Sequence, residues 1–217
     1  MAKNKSLEKY FDKHSLLWWD MYDRRKFALY LFNLCFRRGL FDRWKLTFES
    51  SQPITGKTVL DVGCGSGIYC LEFARQGAKK AVGLDIAKGM IELAQQKAQA
   101  LKMDDRCQFI HIDFMGWESP ETFDVVLAMG VFDYLSEPLP FLKKMVEKSK
   151  GLVLASFPGR SFLREPIRKL RYRWKGFPVY FYSKEDIAEL AQKAGIRNFE
   201  VIPFSSSAYF LKGKLND

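Results

Sequence analysis

The chain has 217 residues with 35 Lys and Arg against 25 Asp and Glu, a formal net charge of +10. That length suits one domain with a sizeable core, and 47% hydrophobic with 28% charged residues excludes a disordered chain. No apolar run approaches the roughly 20 residues of a membrane-spanning helix, and the basic start is followed by no apolar stretch of the secretory kind.

In chain order, residues 6–48 read as helical. Phe27, Tyr30, Leu31 and Leu34 recur at i, i+3, i+4 and i+7, and Gly39 is expected to separate two helices. Ser50-Ser51-Gln52-Pro53-Ile54-Thr55-Gly56 is a loop by composition. Short apolar runs then alternate with helical stretches. Thr58–Asp61 is strand-like, and Ile68–Gln76 is a helix closed by Gly77. Ala81–Asp85 is a strand and Lys88–Leu101 a helix. Cys107–Ile112 and Phe123–Ala128 are strands, Leu139–Lys148 a helix and Gly151–Phe157 a fifth strand. Ser183 is an N-cap with Asp186 in the capping-box position, Gly195 ends that helix, and Asn198–Pro203 and Ser207–Leu211 close the chain as strands. The alternation predicts an α/β fold, a mostly parallel sheet with helices on both faces. Four scattered cysteines (Cys35, Cys64, Cys70, Cys107) form no CxxC pair, so neither a metal site nor a disulfide framework is expected, and a cytoplasmic setting fits.

The positive charge is concentrated. Residues 1–50 hold 11 Lys/Arg and 6 Asp/Glu, and residues 158–182 hold 7 Lys/Arg and only Glu165. The same two segments contain 12 and 7 of the aromatic residues, whereas the rest of the chain is near neutral.

The richest stretch is Val59-Leu60-Asp61-Val62-Gly63-Cys64-Gly65-Ser66-Gly67, an apolar strand running into three alternate glycines and then a helix. Glycine there lets the backbone turn tightly and come close to a ligand. Asp85 ends the next strand, where a carboxylate can accept hydrogen bonds from ribose hydroxyls. The pair points to a nucleoside-type ligand. The GxGxG spacing differs from the GxGxxG that holds a dinucleotide pyrophosphate. Asp61, two residues ahead of the first glycine, would repel a pyrophosphate and suit an amino acid's ammonium instead.

Asp61–Gly67 (DVGCGSG), Gly83-Leu84-Asp85, Ile112-Asp113-Phe114 and Phe123–Met129 (FDVVLAM), in that order, resemble the successive motifs of class I S-adenosylmethionine-dependent methyltransferases. The resemblance covers roughly residues 57–157. It implies a Rossmann-like, seven-stranded, mostly parallel sheet with one antiparallel member near its end. Residues 1–50 would then be a helical extension and substrate cover, 51–217 the cofactor-binding domain, and 158–182 a basic insert after the fifth strand. The cofactor would be S-adenosyl-L-methionine. Asp61 and the loop of Gly63, Cys64, Gly65 and Gly67 would hold its methionine part. Asp85 would bind the ribose, Asp113 and Phe114 the adenine, with Ile86 and Met90 flanking the ring and Met129 and Gly130 near the sulfonium. Tyr22, in the N-terminal segment, would lie over the ligand.

Methyl transfer needs alignment above all, and a general base only where the acceptor must lose a proton. Asp133 and Tyr134, after the fourth strand, and His14 in the N-terminal segment are the candidate catalytic residues. The Asn/Asp-Pro-Pro-aromatic run of amino-group methyltransferases and the Pro-Cys pair of RNA cytosine enzymes are both absent from the sequence. The expected acceptor is a small apolar or anionic molecule, methylated on O or C, with RNA and a non-catalytic cofactor-binding module as alternatives. An NAD-type oxidoreductase competes, and Asp61 with the glycine spacing speaks against it. For the basic insert four readings stay open. These are a solvated face, a clamp on an anionic substrate through Arg168, Arg171 and Arg173, a patch at a membrane surface, and an RNA contact.

Overall fold

The computed structural model describes residues 38–160, 178–205 and 207–215, together with Glu8. His14, Tyr22, Arg168, Arg171 and Arg173 lie outside the described residues.

The elements follow in the order α1 (Arg38–Ser50), β1 (Thr58–Val62), α2 (Ile68–Arg75), β2 (Lys80–Asp85), α3 (Lys88–Ala100), β3 (Cys107–His111), β4 (Phe123–Ala128), α4 (Pro138–Glu147), β5 (Ser149–Pro158), α5 (Lys184–Lys193), β6 (Asn198–Phe204) and β7 (Ala208–Lys214). Two short 3₁₀ turns, Phe114–Gly116 and Phe132–Tyr134, follow β3 and β4. The seven strands form one sheet in the order β3-β2-β1-β4-β5-β7-β6. β1 to β5 run parallel, and β7 is antiparallel to both of its neighbours.

Composition explains this arrangement. β1 and β4 are central and nearly all apolar, with Val59, Leu60, Val126, Leu127 and Ala128 wholly buried, as a strand covered on both faces requires. Alternate side chains feed two cores. Leu60, Val62, Val126 and Ala128 enter one, while Val59, Val125 and Leu127 enter the other with Phe73 and Phe210. Burying a large apolar side chain stabilises by about 1.5–3 kcal/mol. These cores therefore fix strand register firmly, because a one-residue slip would exchange them.

Among the described residues, every strand and helix expected after residue 57 is present, with ends shifted by a few residues at most. The Ser183–Asp186 capping box closes reciprocally. β7 runs on to Lys214 because its pairing with β5 continues to Leu152↔Lys214, where Lys212, Gly213 and Lys214 give no apolar signal. Gly39 lies in the first turn of α1, where a Cβ would stand 3.0 Å from that of Ser205, and the helix expected before it lies outside the described residues. Glycine there permits close approach of α1 to the β6–β7 turn.

β1 has β2 on one side and β4 on the other, so the sheet reverses its winding between β1 and β4. Open α/β sheets bind ligands in the crevice beyond the carboxyl ends of the strands at such a point. The glycine loop, Asp85 and the turn after β4 all converge there.

Candidate active site

A cavity of about 330 Å³ opens at this switch point. That is the lower end of the range for a small-molecule site. The loop after β1 forms its floor. Gly63 and Cys64 donate their amides to Leu84 O (2.8 and 3.0 Å), Gly65 N–H to Asp85 Oδ2 (2.8 Å) and Gly67 N–H to Cys64 O (3.0 Å). These four amides are thus committed within the protein. The glycines are not equivalent. All three have positive φ. A Cβ on Gly65 would point into open space, one on Gly63 would strike Val131 Cγ2 at 2.4 Å, and one on Gly67 would strike the Phe109 ring at 2.6 Å. Gly63 and Gly65 line the cavity, and Gly67 packs against β3 instead.

Asp61 lies behind the loop and is 1% exposed. Its Oδ2 accepts a long contact from Cys70 Sγ (3.9 Å), while Oδ1 has no hydrogen-bond partner among the described residues. Burial, and after it the Asp85 carboxylate, push Asp61 up to about 8, with the Arg43 guanidinium and Cys70 pulling the other way. A buried carboxyl with an unmatched oxygen is a costly arrangement unless something cationic completes it. An ammonium group would do so. Arg43, from α1, lines the same cavity, and its Nη1 is 2.8 Å from where a Cβ on Gly130 would be.

Asp85, at the end of β2, is oriented by Gly65 N–H and by Ala87 N–H, which donates to Oδ1 at 2.8 Å. Its carboxylate lines the cavity between the polar floor and an apolar slot of Ile86, Met90, Ile112, Phe114 and Phe141. Asp113 stands at the slot's mouth as the cap of a 3₁₀ turn, Oδ1 accepting from Met115 N–H at 3.0 Å. A flat aromatic ring fits such a slot, with Asp113 in place to accept from an exocyclic amine.

At the opposite end are Met129, Gly130, Val131, Asp133 and Tyr134. Met129 is buried, and Thr47 Oγ1, which donates to Arg43 O at 2.8 Å, lies 3.6 Å from its sulfur, setting α1 against the end of β4. Gly130 takes φ +82°, and its N–H donates to Ser156 Oγ at 2.8 Å.

Of the expected residues, Gly63, Cys64, Gly65, Asp85, Ile86, Met90, Asp113, Phe114, Met129, Asp133 and Tyr134 therefore line one cavity, and Asp61 and Gly67 support it from behind. Arg43, Tyr69 and Phe141 line it as well and were not anticipated. Arg43 had a signal. Leu40, Trp44, Thr47 and Phe48 fall on the same helical face, and a cation among them is out of place in a core. Cys64 is no nucleophile, since burial raises its thiol well above the ordinary value, as it does for Cys70. Iodoacetamide at pH 8 should leave Cys64, Cys70 and Cys107 unlabelled until denaturant is added, as peptide mass mapping would show.

Residues 59–150 match the methyltransferase domain model. Among curated proteins, the mitochondrial ubiquinone biosynthesis O-methyltransferase of Schizosaccharomyces pombe is 32% identical over 157 residues, 71% of this chain and 55% of that protein. The ubiquinone biosynthesis O-methyltransferase of Ruegeria is 31% identical over 160 residues, 70% and 62%. The tRNA U34 carboxymethyltransferase of Haemophilus influenzae is 32% identical over 136 residues, 60% and 42%. The chain thus spans less than two thirds of the length of these relatives. Among solved structures, the magnesium protoporphyrin IX methyltransferase of Synechocystis with bound S-adenosylmethionine superposes with a TM-score of 0.70 at 19% identity, covering 99% of this chain and 97% of that one. Residues 59–150 thus carry a methyltransferase domain, and the fold and motif order are similar to those of the class I S-adenosylmethionine-dependent methyltransferases.

Proposed function

We propose that the protein transfers a methyl group to a small acceptor with an apolar body and an anionic group, O- or C-methylation being favoured. The observation that carries this reading is the division of the cavity: a floor and slot suited to the cofactor on one side, and Asp133 and Tyr134, with Arg43 beside Gly130, as the described ionisable groups around Met129 and Gly130 on the other. Bound S-adenosyl-L-methionine would supply an electrophilic methyl group on a sulfonium. Asp61, with its unmatched oxygen, would face the ammonium of the methionine part, and Arg43 its carboxylate. Asp85 would take the ribose hydroxyls, and Ile86, Met90 and Phe114 would enclose the adenine beside Asp113. What the remaining residues contribute is exclusion of water and alignment, for which effective molarities of about 10⁵ M or more are known. Asp133 or Tyr134 would accept a proton where the acceptor carries one. His14 and Tyr22, from the N-terminal segment, are the further candidates for base and cover.

The acceptor end is where the basic insert attaches. Arg160, at its start, pairs with Asp186 at 2.9 Å, and Tyr180, at its end, donates its N–H to Asp133 O at 2.9 Å. Residues between those anchors include Arg168, Arg171 and Arg173, a suitable clamp for an anionic group or a contact with an anionic membrane surface. No described helix is long and apolar enough to cross a membrane. Reversing these three charges to Glu should raise the acceptor KM about tenfold or more and leave cofactor affinity unchanged. Flotation with anionic liposomes separates the two uses of the charge, since only a membrane contact makes wild type float and the variant sink.

The direct test supplies labelled methyl groups on S-adenosylmethionine to wild-type protein with a cell extract. Label in a solvent-extractable small molecule is the expected result. Label confined to RNA would support the tRNA-directed alternative suggested by the Haemophilus relative, and no transfer at all would overturn the reading.

A further inference from the structure

The turn that carries Asp133 and Tyr134 is a single 3₁₀ turn, Phe132–Tyr134, preceded by Gly130 at positive φ, and its own backbone bonds include Tyr134 N–H to Val131 O at 3.0 Å. Three further polar groups of this segment are satisfied from outside. Ser156, buried in β5, accepts from Gly130 N–H. Tyr182 Oη donates to Phe132 O at 3.2 Å, and Tyr180 N–H donates to Asp133 O at 2.9 Å. Both tyrosines belong to the strap that leads out of the basic insert, and Tyr182 also forms a parallel bridge with Gly159 at the insert's start.

The surroundings make this a fixed attachment. Phe132 is fully buried, its ring 4.2 Å from Phe157 and 5.6 Å from Phe141. Phe157 meets the Tyr182 ring at 5.2 Å, and Phe141 meets Phe114 of the adenine slot at 5.0 Å. Burial, and then Asp133, hold the Tyr182 phenol well above its usual range, so the hydroxyl keeps its proton and remains a donor. Val131 touches the position where Gly63 has no side chain, which brings the same turn against the cofactor loop.

We propose that Ser156 and Tyr182 are positioning residues that set the acceptor turn, with Tyr182 linking the insert to Asp133 and Tyr134. The proposal rests on the methyltransferase reading above. Neither residue lines the cavity, so each acts through the turn. Removing either hydroxyl leaves a buried partner unpaired and lets the turn drift, and a displacement of about 1 Å at a reacting centre can lower the rate up to 100-fold.

The experiment compares wild type with Tyr182→Phe and Ser156→Ala. It measures methyl transfer from labelled S-adenosylmethionine into a serially diluted solvent extract of the source cells, and S-adenosylhomocysteine binding by calorimetry. Expected are a kcat lowered about tenfold or more in each variant, a raised apparent KM for the extract in Tyr182→Phe, and S-adenosylhomocysteine affinity within about twofold of wild type. Ser156→Cys, which keeps an acceptor for Gly130 N–H, should recover part of the lost rate. Unchanged kcat in both variants overturns the proposal. So does a parallel loss of cofactor affinity and melting temperature, which marks a merely structural role. A wild type that transfers nothing refutes the methyltransferase reading itself, and so is distinguished from both.

Discussion

Asp85→Ala is expected to weaken S-adenosylhomocysteine binding about 100-fold or more, with the fold retained. A carboxylate accepting two ribose hydroxyls forms two charge-assisted hydrogen bonds, worth about 1.5–3 kcal/mol each. Every 1.4 kcal/mol is about tenfold in affinity, so the loss of both brings the change to at least that size. Asp85 also accepts from Gly65 and Ala87 amides, so its removal slackens the loop that forms the floor. Asp85→Asn separates the two effects. It retains an oxygen for an amide and the side chain's shape but loses the charge, and should fall between wild type and Asp85→Ala. Calorimetry gives the affinities, and thermal melts show whether the unliganded proteins remain folded. Affinity near wild type in both variants would remove Asp85 from the cofactor site.

Asp61→Asn should do two opposite things: weaken the cofactor and stabilise the protein without it. Asp61 is held up to about 8 in the folded state, against an ordinary value of 3.8. Below pH 3.8 both folded and unfolded chains carry the proton, and the group is neutral towards stability. Between there and about 8 the unfolded chain has lost its proton while the folded chain keeps it, so stability falls as pH rises through this window; above it the penalty is constant. The size is several kcal/mol in order of magnitude, at 1.36 kcal/mol for each pH unit of displacement. An amide carries no such penalty. At pH 8 the unliganded Asp61→Asn protein should therefore melt several degrees above wild type, and at pH 4 the difference should nearly vanish. Ligand binding runs the other way. An ammonium favours the ionised carboxyl, so wild type should release a proton on binding S-adenosylhomocysteine at pH 7 and bind more tightly at pH 8 than at pH 7. Calorimetry in buffers of different ionisation enthalpy counts that proton. Asp61→Asn should bind about tenfold or more weakly at pH 8 and release none. Equal proton release by both proteins would show that Asp61 does not titrate with the ligand.

Much of this site can be read in the sequence because it is local. An apolar strand runs straight into three alternate glycines, and the acid closing the next strand follows 20 residues after Gly65, with β1 and β2 side by side. Parallel pairing of adjacent strands brings Asp85 back beside the loop. The orientation of each glycine was not legible. Gly63, Gly65 and Gly67 look alike in sequence, and only the path into α2 turns Gly67 towards Phe109. Arg43 could be suspected from its apolar helical face but not assigned, because its meeting with Gly130 and Asp61 depends on how α1 docks. That docking is made by Trp44 and Phe48 against Tyr69 and Phe73, contacts that no local pattern specifies. The hold of Ser156 and Tyr182 on the acceptor turn is equally long-range, joining the turn at positions 130–134 to a strand and a strap each more than twenty residues further along the chain.

The most direct measurement titrates one preparation of wild-type protein with S-adenosylhomocysteine and with NADH by calorimetry at pH 8. A cleft with a buried carboxyl behind a GxGxG loop, four of whose amides are already committed, should bind S-adenosylhomocysteine one to one and leave NADH unbound. Tight NADH binding with no heat from S-adenosylhomocysteine would contradict it.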